Sequence, residues 1–344
     1  MLSLDPLPLA FDRRDAMRAG WTRHQFHRRV AAPDVVEVAP RLFADAVSWH
    51  LAGRDERHRA LARQAEARYG GAVVSHASAA LLHRLPSPRF LDDAVVLTGD
   101  KEHPVGDDAA WVRLQRSRLP DRLTTEVDGV RVTSLARTAV DCLRVLPRMD
   151  GLAVADAVVR GGVVPGELVA VRQAQARWPG ARTARWGIGV VDGRRESWLE
   201  SASVAVLDGW LPLPVPQVEV RDRASGLFIA RVDNFWRGLR VVGEADGVAK
   251  YRGLDGADPS EQAVTDRLIA ASIRADRLRD LGLGVVRWGA SDLRAPGVLS
   301  ARVRAARPTG PCRAELSCGV CGAGLEDCRC APALFMPTSA QEAA

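Results

Sequence analysis

Lysine, tyrosine and long apolar runs are scarce in this chain of 344 residues. Two of its 48 basic residues are lysines, Lys101 and Lys250, and two residues are tyrosines. The other basic residues are arginines, and such an arginine-rich composition is typical of a GC-rich genome. The chain has no run of about 18 apolar residues, so we predict no membrane span. Its N-terminus lacks a basic start before the short apolar part and is a poor signal peptide, which favours a cytoplasmic protein.

Cysteine is nearly absent from the first 311 residues. Cys142 stands alone in an apolar helical pattern, and the other five cysteines follow residue 311. In a cytosolic chain, such clustering favours metal binding over disulfides. The net charge of +6 permits nucleic-acid binding but does not require it.

The order of the predicted elements is that of an α/β multidomain protein with four segments. The length suits two or three domains, and no internal repeat is visible. The predicted segments are 1–57, a winged helix-turn-helix DNA-binding domain; 58–192, a mixed α/β middle domain; 193–307, a domain with the order αβββαβ; and 308–344, a Cys-rich stretch and a tail that we expect to be disordered over its last dozen residues.

Two short helical patterns and a hairpin pattern open the chain. The helices cover 11–20 and 21–30, with Thr22 at the N-cap of the second, and 34–45 alternates like a small β-wing. The second helix would present basic side chains to a major groove. An alternative is a solvated arginine face on a small packing domain. We expect DNA contacts from Arg13, Arg14, Arg23, His24, His27 and Arg28.

The middle segment shows helices and two strand candidates, at 92–99 and 129–136. Thr133 or Ser134 is placed to cap a helix over 135–146. The segment has no obvious catalytic chemistry.

Three acids lie on two neighbouring predicted strands of the third segment, 226–236 and 239–247. If Gly238 and Leu239 form a two-residue type II′ loop, paired residue numbers sum to 477, and Asp233 lies opposite Glu244. Asp246 shares the face of Glu244 because strand side chains alternate. Three carboxylates on one face predict a Mg²⁺ site, which would polarise a phosphodiester and activate water.

Two further residues complete this predicted site. Glu200, on the preceding helix, would add a ligand or position the water, and Lys250 would stabilise charge on the phosphate. The alternative interpretation is structural, with the acids at a sheet edge paired to the surrounding arginines. Catalytic roles are therefore predicted for Glu200, Asp233, Glu244, Asp246 and Lys250, with Asp233, Glu244 and Asp246 as the magnesium ligands.

The last cysteines have the spacing of a small metal site. The stretch CGVCGAGLEDCRC (318–330) reads C-x2-C, six residues, then C-x-C. Four thiolates suit tetrahedral zinc, and a segment this short could hardly fold without metal. A disordered, oxidation-prone tail is the alternative, and Cys312 is a spare. The predicted zinc ligands are Cys318, Cys321, Cys328 and Cys330.

The third segment resembles the very-short-patch-repair-like endonuclease domain of the PD-(D/E)XK superfamily. The matching stretches are ES-x-x-ES (196–201), PxPQVEV (214–220), RVD-x-x-W (231–236), E-x-DG-x-x-KY (244–251) and LGLGVVRW-x-x-xDL (281–293). This resemblance implies a restriction-endonuclease-like fold. The chain departs from it at Asp246, where the superfamily ends Glu-x-Lys, and at Ala271 and Ser272, where relatives often carry a Glu-Lys pair.

The first two segments resemble the AbiE-type antitoxin family of regulators. The matching stretches are AGWTRHQFHRRV (19–30), AVVSHASAALLHRLP (72–86) and GVRVTSLARTAVDCLR (129–144). This resemblance implies a DNA-binding N-terminus and raises a cognate toxin as a partner.

Three functions follow from the sequence. The leading hypothesis is a cytoplasmic protein that binds double-stranded DNA and cleaves it with Mg²⁺. The alternative is a non-catalytic antitoxin-type regulator with a degenerate nuclease fold. A third is a protein–protein module that neutralises a toxin through the middle segment.

Overall fold

The computed structural model forms two compact units, Met1–Cys142 and Leu143–Ala344. The structure describes residues 4, 7–89, 91, 93–100, 110–246, 261–328 and 330. Lys250 and the tail predicted to be disordered lie outside them. Within the described residues there are 12 α-helices and three sheets, so the expected α/β architecture is confirmed. None of the described helices is both long and apolar enough to cross a bilayer.

The first unit begins with two capped helices and a hairpin. The helices are α1 (Arg13–Arg18) and α2 (Arg23–Val30), followed by the antiparallel strands β1 (Val35–Ala39) and β2 (Leu42–Asp45). Thr22 caps α2 as predicted, since its side chain accepts from the Gln25 N–H in a capping box. Phe11, Trp21, Phe26 and Phe43 pack together as the core.

The rest of the first unit packs helices on a five-stranded sheet. The elements are α3 (Ala46–Leu51), α4 (Arg54–Arg68), β3 (Val73–Val74), α5 (His76–Leu82), β4 (Val95–Gly99), β5 (Val112–Arg116), β6 (Thr124–Val127), β7 (Val130–Thr133) and α6 (Leu135–Val145). The strand order is β5-β4-β3-β7-β6. Ser134 Oγ accepts from the Arg137 N–H at the start of α6, so the predicted cap is Ser134.

Within its described residues, the second unit contains six complete α-helices and a five-stranded sheet. Its elements are α7 (Arg148–Arg160), α8 (Pro165–Ala174), α9 (Ala181–Val190), α10 (Trp198–Leu207), β8 (Val215–Asp222), β9 (Phe228–Trp236), β10 (Val241–Ala245), α11 (Glu261–Asp280), β11 (Gly284–Trp288), α12 (Pro296–Ala305) and β12 (Ala314–Cys318). The strand order is β11-β10-β9-β8-β12. From α10 to β11 the chain follows the predicted order αβββαβ.

Two apolar clusters form the core around this sheet. Trp236 and Trp288 pack with residues of α10 and α12, while Phe235 and Val242 pack with Leu278 of α11. The helices therefore sandwich the sheet. Strand β12, which the sequence analysis did not predict, extends the sheet by pairing antiparallel with β8.

The hairpin between β9 and β10 has the predicted register but a longer loop. Val241 pairs with Trp236 and Gly243 with Asn234, so partner numbers sum to 477. The two-residue loop is wrong, because the pairing closes around four residues, 237–240. The residue with positive φ is Arg240, at 55°, rather than Gly238, so the turn is not type II′.

The division between the two units, at 142/143, falls inside the predicted segment 58–192. The sheet of segment 58–192 belongs to the first unit, but α7, α8 and α9 belong to the second. A buried ion pair explains this division, since Asp156 of α7 lies 2.9 Å from the guanidinium of Arg195 and accepts a bond from Ser201 of α10. Segment 308–344 likewise contributes β12 to the sheet.

Candidate functional site

The acidic face comprises Glu200, Asp233, Glu244 and Asp246. Glu200 lies in the first turn of α10, where Ser197 is the N-cap. Its carboxylate accepts bonds from Ser197 Oγ at 2.7 Å and from the Glu196 N–H at 3.0 Å. Burial raises the pKa of Glu200, and the nearby charge of Asp233 raises it further against these hydrogen bonds. Glu200 and Asp233 are thus electrostatic neighbours.

Gln217 is a member of this face that the sequence analysis missed. It is 2% exposed, and its Nε2 donates to Glu200 Oε2 at 3.0 Å. It has a φ of 52°, an unusual value for a residue other than glycine. In β8 it lies between Pro216 and Val218, which pair with Asn234 and Val232, so it stands across from Asp233. The PxPQVEV match covers Gln217 but assigns it no role.

Asp233 contacts the neighbouring strand through its side chain. Its Oδ2 accepts the Ala245 N–H at 2.8 Å, one residue beyond the position of Glu244. Side chain and backbone thus join β9 to β10 at the end of their pairing.

Arginines engage the two acids of β10. Arg274 of α11 binds Glu244 with Nε at 3.1 Å and Nη2 at 3.3 Å. Arg287 is the β11 ladder partner of Glu244, and its Nε lies 3.6 Å from Glu244 and 2.7 Å from Asp246. Glu244 is 5% exposed. A carboxylate this buried needs such partners. The pairing with arginines agrees with the structural alternative, but the expected sheet edge is wrong for Glu244, because β10 lies between β9 and β11.

The acidic face does not assemble the predicted magnesium site in this conformation. Across the described residues, the one group of three or more His, Cys, Asp or Glu side chains close enough to share an ion consists of cysteines. Carboxylate oxygens are suitable donors for Mg²⁺, but those of Asp233, Glu244 and Asp246 are not gathered in that way. Lys250, the predicted charge stabiliser, lies outside the described residues.

The cysteine cluster consists of Cys318, Cys321, Cys328 and Cys330. Their Sγ atoms all lie within 4.8 Å of one another, close enough to bind one metal ion. The Cys321 and Cys328 sulfurs are 3.7 Å apart, and a tetrahedral zinc site with bonds of about 2.3 Å requires about 3.8 Å between sulfurs. The donor set therefore fits a thiophilic metal.

The backbone around the cluster forms the turn expected of a C-x2-C motif. The Gly322 N–H donates to the Cys318 carbonyl at 2.8 Å, and Gly322 has a φ of 71°, which glycine adopts without strain. Burial alone would raise the pKa of Cys318, but N–H donors of Cys321 and Val320 lower it to about 6. Such donors stabilise a thiolate, the metal-binding form.

Arg194 is a second residue that the sequence analysis missed. Its guanidinium is fixed by Asp192 at 2.7 Å. Its Nη1 lies 4.0 Å from Cys318 Sγ and 3.9 Å from Cys328 Sγ. A cation in this position would offset part of the negative charge of thiolates that bind a metal. In the sequence, the one feature that marks Arg194 is its place in a strongly arginine-rich stretch.

The predicted DNA-contacting residues all lie on the surface of the first unit. Helix α2 carries no acid, and its inward side is anchored by Phe26, which packs edge-on against Phe43, and by Arg29, which binds Asp34 through two hydrogen bonds. The exposed residues are Arg13, Arg14, Arg23, His24, His27 and Arg28.

Neither a protein-family model nor a curated protein matches this chain. The function must therefore be argued from the chemistry of these three sites.

Proposed function

We propose that this protein is a DNA-binding regulator that does not itself cleave DNA and that contains a nuclease-like sheet in its second unit. The observation that carries DNA binding is the exposed, acid-free basic surface of α2. Arg23, His24, His27 and Arg28 project from it together, and arginine donates to guanine edges or to phosphates. A surface of this charge attracts duplex DNA and loses affinity as salt rises.

The anchoring of α2 supports groove insertion. Phe26 and Arg29 hold one side of the helix to the hairpin and the aromatic core, so its basic side is presented without a change of fold. A preformed recognition surface binds at a lower entropic cost than one that must be ordered. The β1–β2 hairpin beside it is in the position of the predicted wing.

The acidic face favours the non-catalytic form of this proposal. Glu244 and Asp246 are already neutralised by Arg274 and Arg287. Ions held by such partners need no metal to satisfy their charge. The sheet would then serve as a structural scaffold or as a binding surface.

A second candidate is the metal-dependent DNA endonuclease, which one observation favours. Glu200 has a raised pKa next to Asp233, and buried carboxylates with raised pKa values occur frequently at catalytic sites. The order αβββαβ from α10 to β11 agrees with the PD-(D/E)XK resemblance, although a fold does not establish catalysis. This candidate requires Mg²⁺ at acids that the described conformation does not gather.

The zinc assignment of the cysteine cluster is also part of the proposal. We infer that Cys318, Cys321, Cys328 and Cys330 hold Zn²⁺ as a closed structural site, since four protein thiolates leave no open position. When bound, the ion supplies folding energy to the segment that carries it. A toxin partner rests on the antitoxin resemblance alone and stays a prediction.

One experiment tests DNA binding and cleavage together. We expect the wild type to bind duplex DNA and to leave plasmid DNA intact with Mg²⁺ or Mn²⁺. The double variant Arg23→Ala/Arg28→Ala should bind about tenfold or more weakly, and its salt dependence should decrease by roughly 1.8 logarithmic units per decade if both contact phosphates. Fluorescence anisotropy across a salt series measures both.

The control replaces an exposed arginine of the second unit, Arg279→Ala, which should leave DNA affinity unchanged. Equal affinity of the double variant and the wild type would contradict α2 as the DNA-binding element. Plasmid cutting that disappears in Asp233→Asn would replace the regulator with the endonuclease.

A further inference from the structure

Strand β12, at the edge of the sheet, connects the cysteine cluster to its neighbour β8. Cys318 is its last residue and pairs with Val218 of β8. The next residue, Gly319, donates its N–H to the Gln217 carbonyl at 2.9 Å. The first ligand of the cluster is therefore one residue away from a direct bond to Gln217.

The contact at Gly319 is tight. A Cβ atom there would lie 2.8 Å from the Gln217 carbonyl oxygen and 3.1 Å from Cδ of Arg231. Only glycine allows this approach. The backbone of the cluster is thus packed directly against Gln217, with no side chain between them to absorb movement.

Gln217 transmits this contact to the acidic face. Its side chain donates to the buried Glu200 carboxylate at 3.0 Å, and its place in β8 is across from Asp233. Its φ of 52° is a conformation that the surrounding structure must hold. The bond from Gly319 is one of the contacts that does so.

A second path runs through the loop before α10. Arg194 lies against the sulfurs of Cys318 and Cys328. Two residues later, the Glu196 N–H donates to Glu200. The Glu196 carboxylate is also bound by Arg231 at 3.0 Å, the same arginine that packs on Gly319. Both paths end at Glu200.

We propose that a thiophilic metal ion in the cysteine cluster, Zn²⁺ in the first place, holds the Glu200–Asp233 pair of the acidic face in position through Gln217 and the 192–197 loop. The metal centre thereby becomes a structural control of that face. This inference rests on the proposed zinc site. Without metal, nothing covalent joins the two cysteine pairs, and the segment after β12 is held by backbone bonds such as that from the Cys318 N–H to the Ala323 carbonyl. A bound metal would add four bonds to sulfur at this point and so restrain Gly319 against Gln217.

Hydrogen exchange of the full chain tests this coupling, with the zinc content measured on the same sample. The Glu196 amide reports directly on its bond to Glu200. After zinc is removed with a chelator, we expect protection to be lost at 314–328 and also at 215–220 and 194–201. Peptides from 284–305 and from β4 in the first unit should keep their protection.

The variant Cys321→Ser should reproduce the chelated pattern, and Cys312→Ser, outside the cluster, should match the untreated wild type. Loss confined to 314–328 would overturn the coupling, and so would loss throughout the second unit. Wild-type protein that takes up no zinc would instead overturn the metal site itself, so the two failures are distinguishable.

Replacing Arg194 tests the second path without removing a sulfur ligand. Arg194→Gln should retain zinc yet lose protection at 194–201, and Arg194→Lys, which keeps a cation near the sulfurs, should restore part of it. Unchanged exchange at 194–201 in Arg194→Gln would remove the loop from the proposal and leave Gln217 as the one remaining path. In that case Gln217→Ala should still reduce the protection of the Glu196 amide in zinc-loaded protein. Retained protection in both variants would overturn the inference.

Discussion

The cysteine cluster and the acidic face belong to the same unit, but their side chains have different partners. The four sulfurs face one another within 4.8 Å, with Arg194 beside two of them. The acids instead bind other protein groups: Arg274 binds Glu244, Arg287 lies against both Glu244 and Asp246, and Asp233 accepts a backbone N–H. One region gathers sulfur ligands that a metal ion would bind, whereas the acids of the other region already have arginine or backbone partners.

Suitable ligand atoms alone therefore do not make a metal site. Arginine binds a carboxylate bidentately and competes directly with a divalent ion for it. Arg194 lies beside two of the sulfurs, whereas a metal ion would bond all four of them directly. In a chain with two lysines and 48 basic residues, arginines are available to almost every acid.

The largest expected effect is at the cysteine cluster. Replacing Cys321 by serine should lower the zinc content from one ion per chain to nearly none and lower the melting temperature of the second unit, because metal binding supplies folding energy. Cys312→Ser is the matched control and should keep the ion. Elemental analysis measures the zinc content and calorimetry the melting temperature. Full zinc retention in Cys321→Ser would mean that the cysteine cluster, like the acidic face, does not hold a metal ion.

The arginines of the acidic face should have the next largest effect. Arg274→Ala leaves the buried Glu244 with Arg287 alone. Breaking a buried pair costs about 3–5 kcal/mol, but the Arg274 side chain is 44% exposed, so we expect a loss of about 1–2 kcal/mol in the free energy of unfolding. Urea denaturation gives this value.

The control on the same helix is Arg279→Ala. Its ion pair with Asp276 is exposed on both sides and should contribute less than about 0.5 kcal/mol. Equal stability of the Arg274 and Arg279 variants would mean that the arginine pairing of Glu244 is incidental.

The smallest effect is a pH dependence at Glu200. A glutamate in the unfolded chain has a pKa of about 4.3. The fold raises the pKa of Glu200 through burial and through the charge of Asp233. As the pH falls from 7 toward 4.3, the folded protein therefore takes up this proton first, and the penalty for the buried charge is relieved. The free energy of unfolding of the wild type, relative to Glu200→Gln, should rise over this range. If urea titrations gave a difference in the free energy of unfolding between the two proteins that did not change with pH, the fold would not raise the pKa of Glu200.

Features set by short-range chemistry could be predicted from the sequence. Thr22 precedes the Gln25 that completes its capping box, and the residue pair at 238–239 centres the hairpin, so the register followed even though the loop was longer. The cysteine spacing predicted the cluster for the same reason, because a C-x2-C turn needs only its own glycine and backbone hydrogen bonds.

Features set by distant partners could not be predicted. Strand β12 has the short sequence AELSC and forms only because β8, about 95 residues earlier, offers a free edge. The roles of Gln217, Arg274 and Arg287 depend on which side chains meet across strands and helices. In so arginine-rich a sequence, no local pattern distinguishes these arginines from solvated ones.

Native mass spectrometry of the full chain, with Zn²⁺ and Mn²⁺ both offered, tests the central contrast most directly. We expect one zinc ion per chain, lost in Cys321→Ser, and no manganese ion whose binding depends on Asp233. A manganese ion that disappears in Asp233→Asn would contradict the account, because the acidic face would then hold a metal despite its arginines.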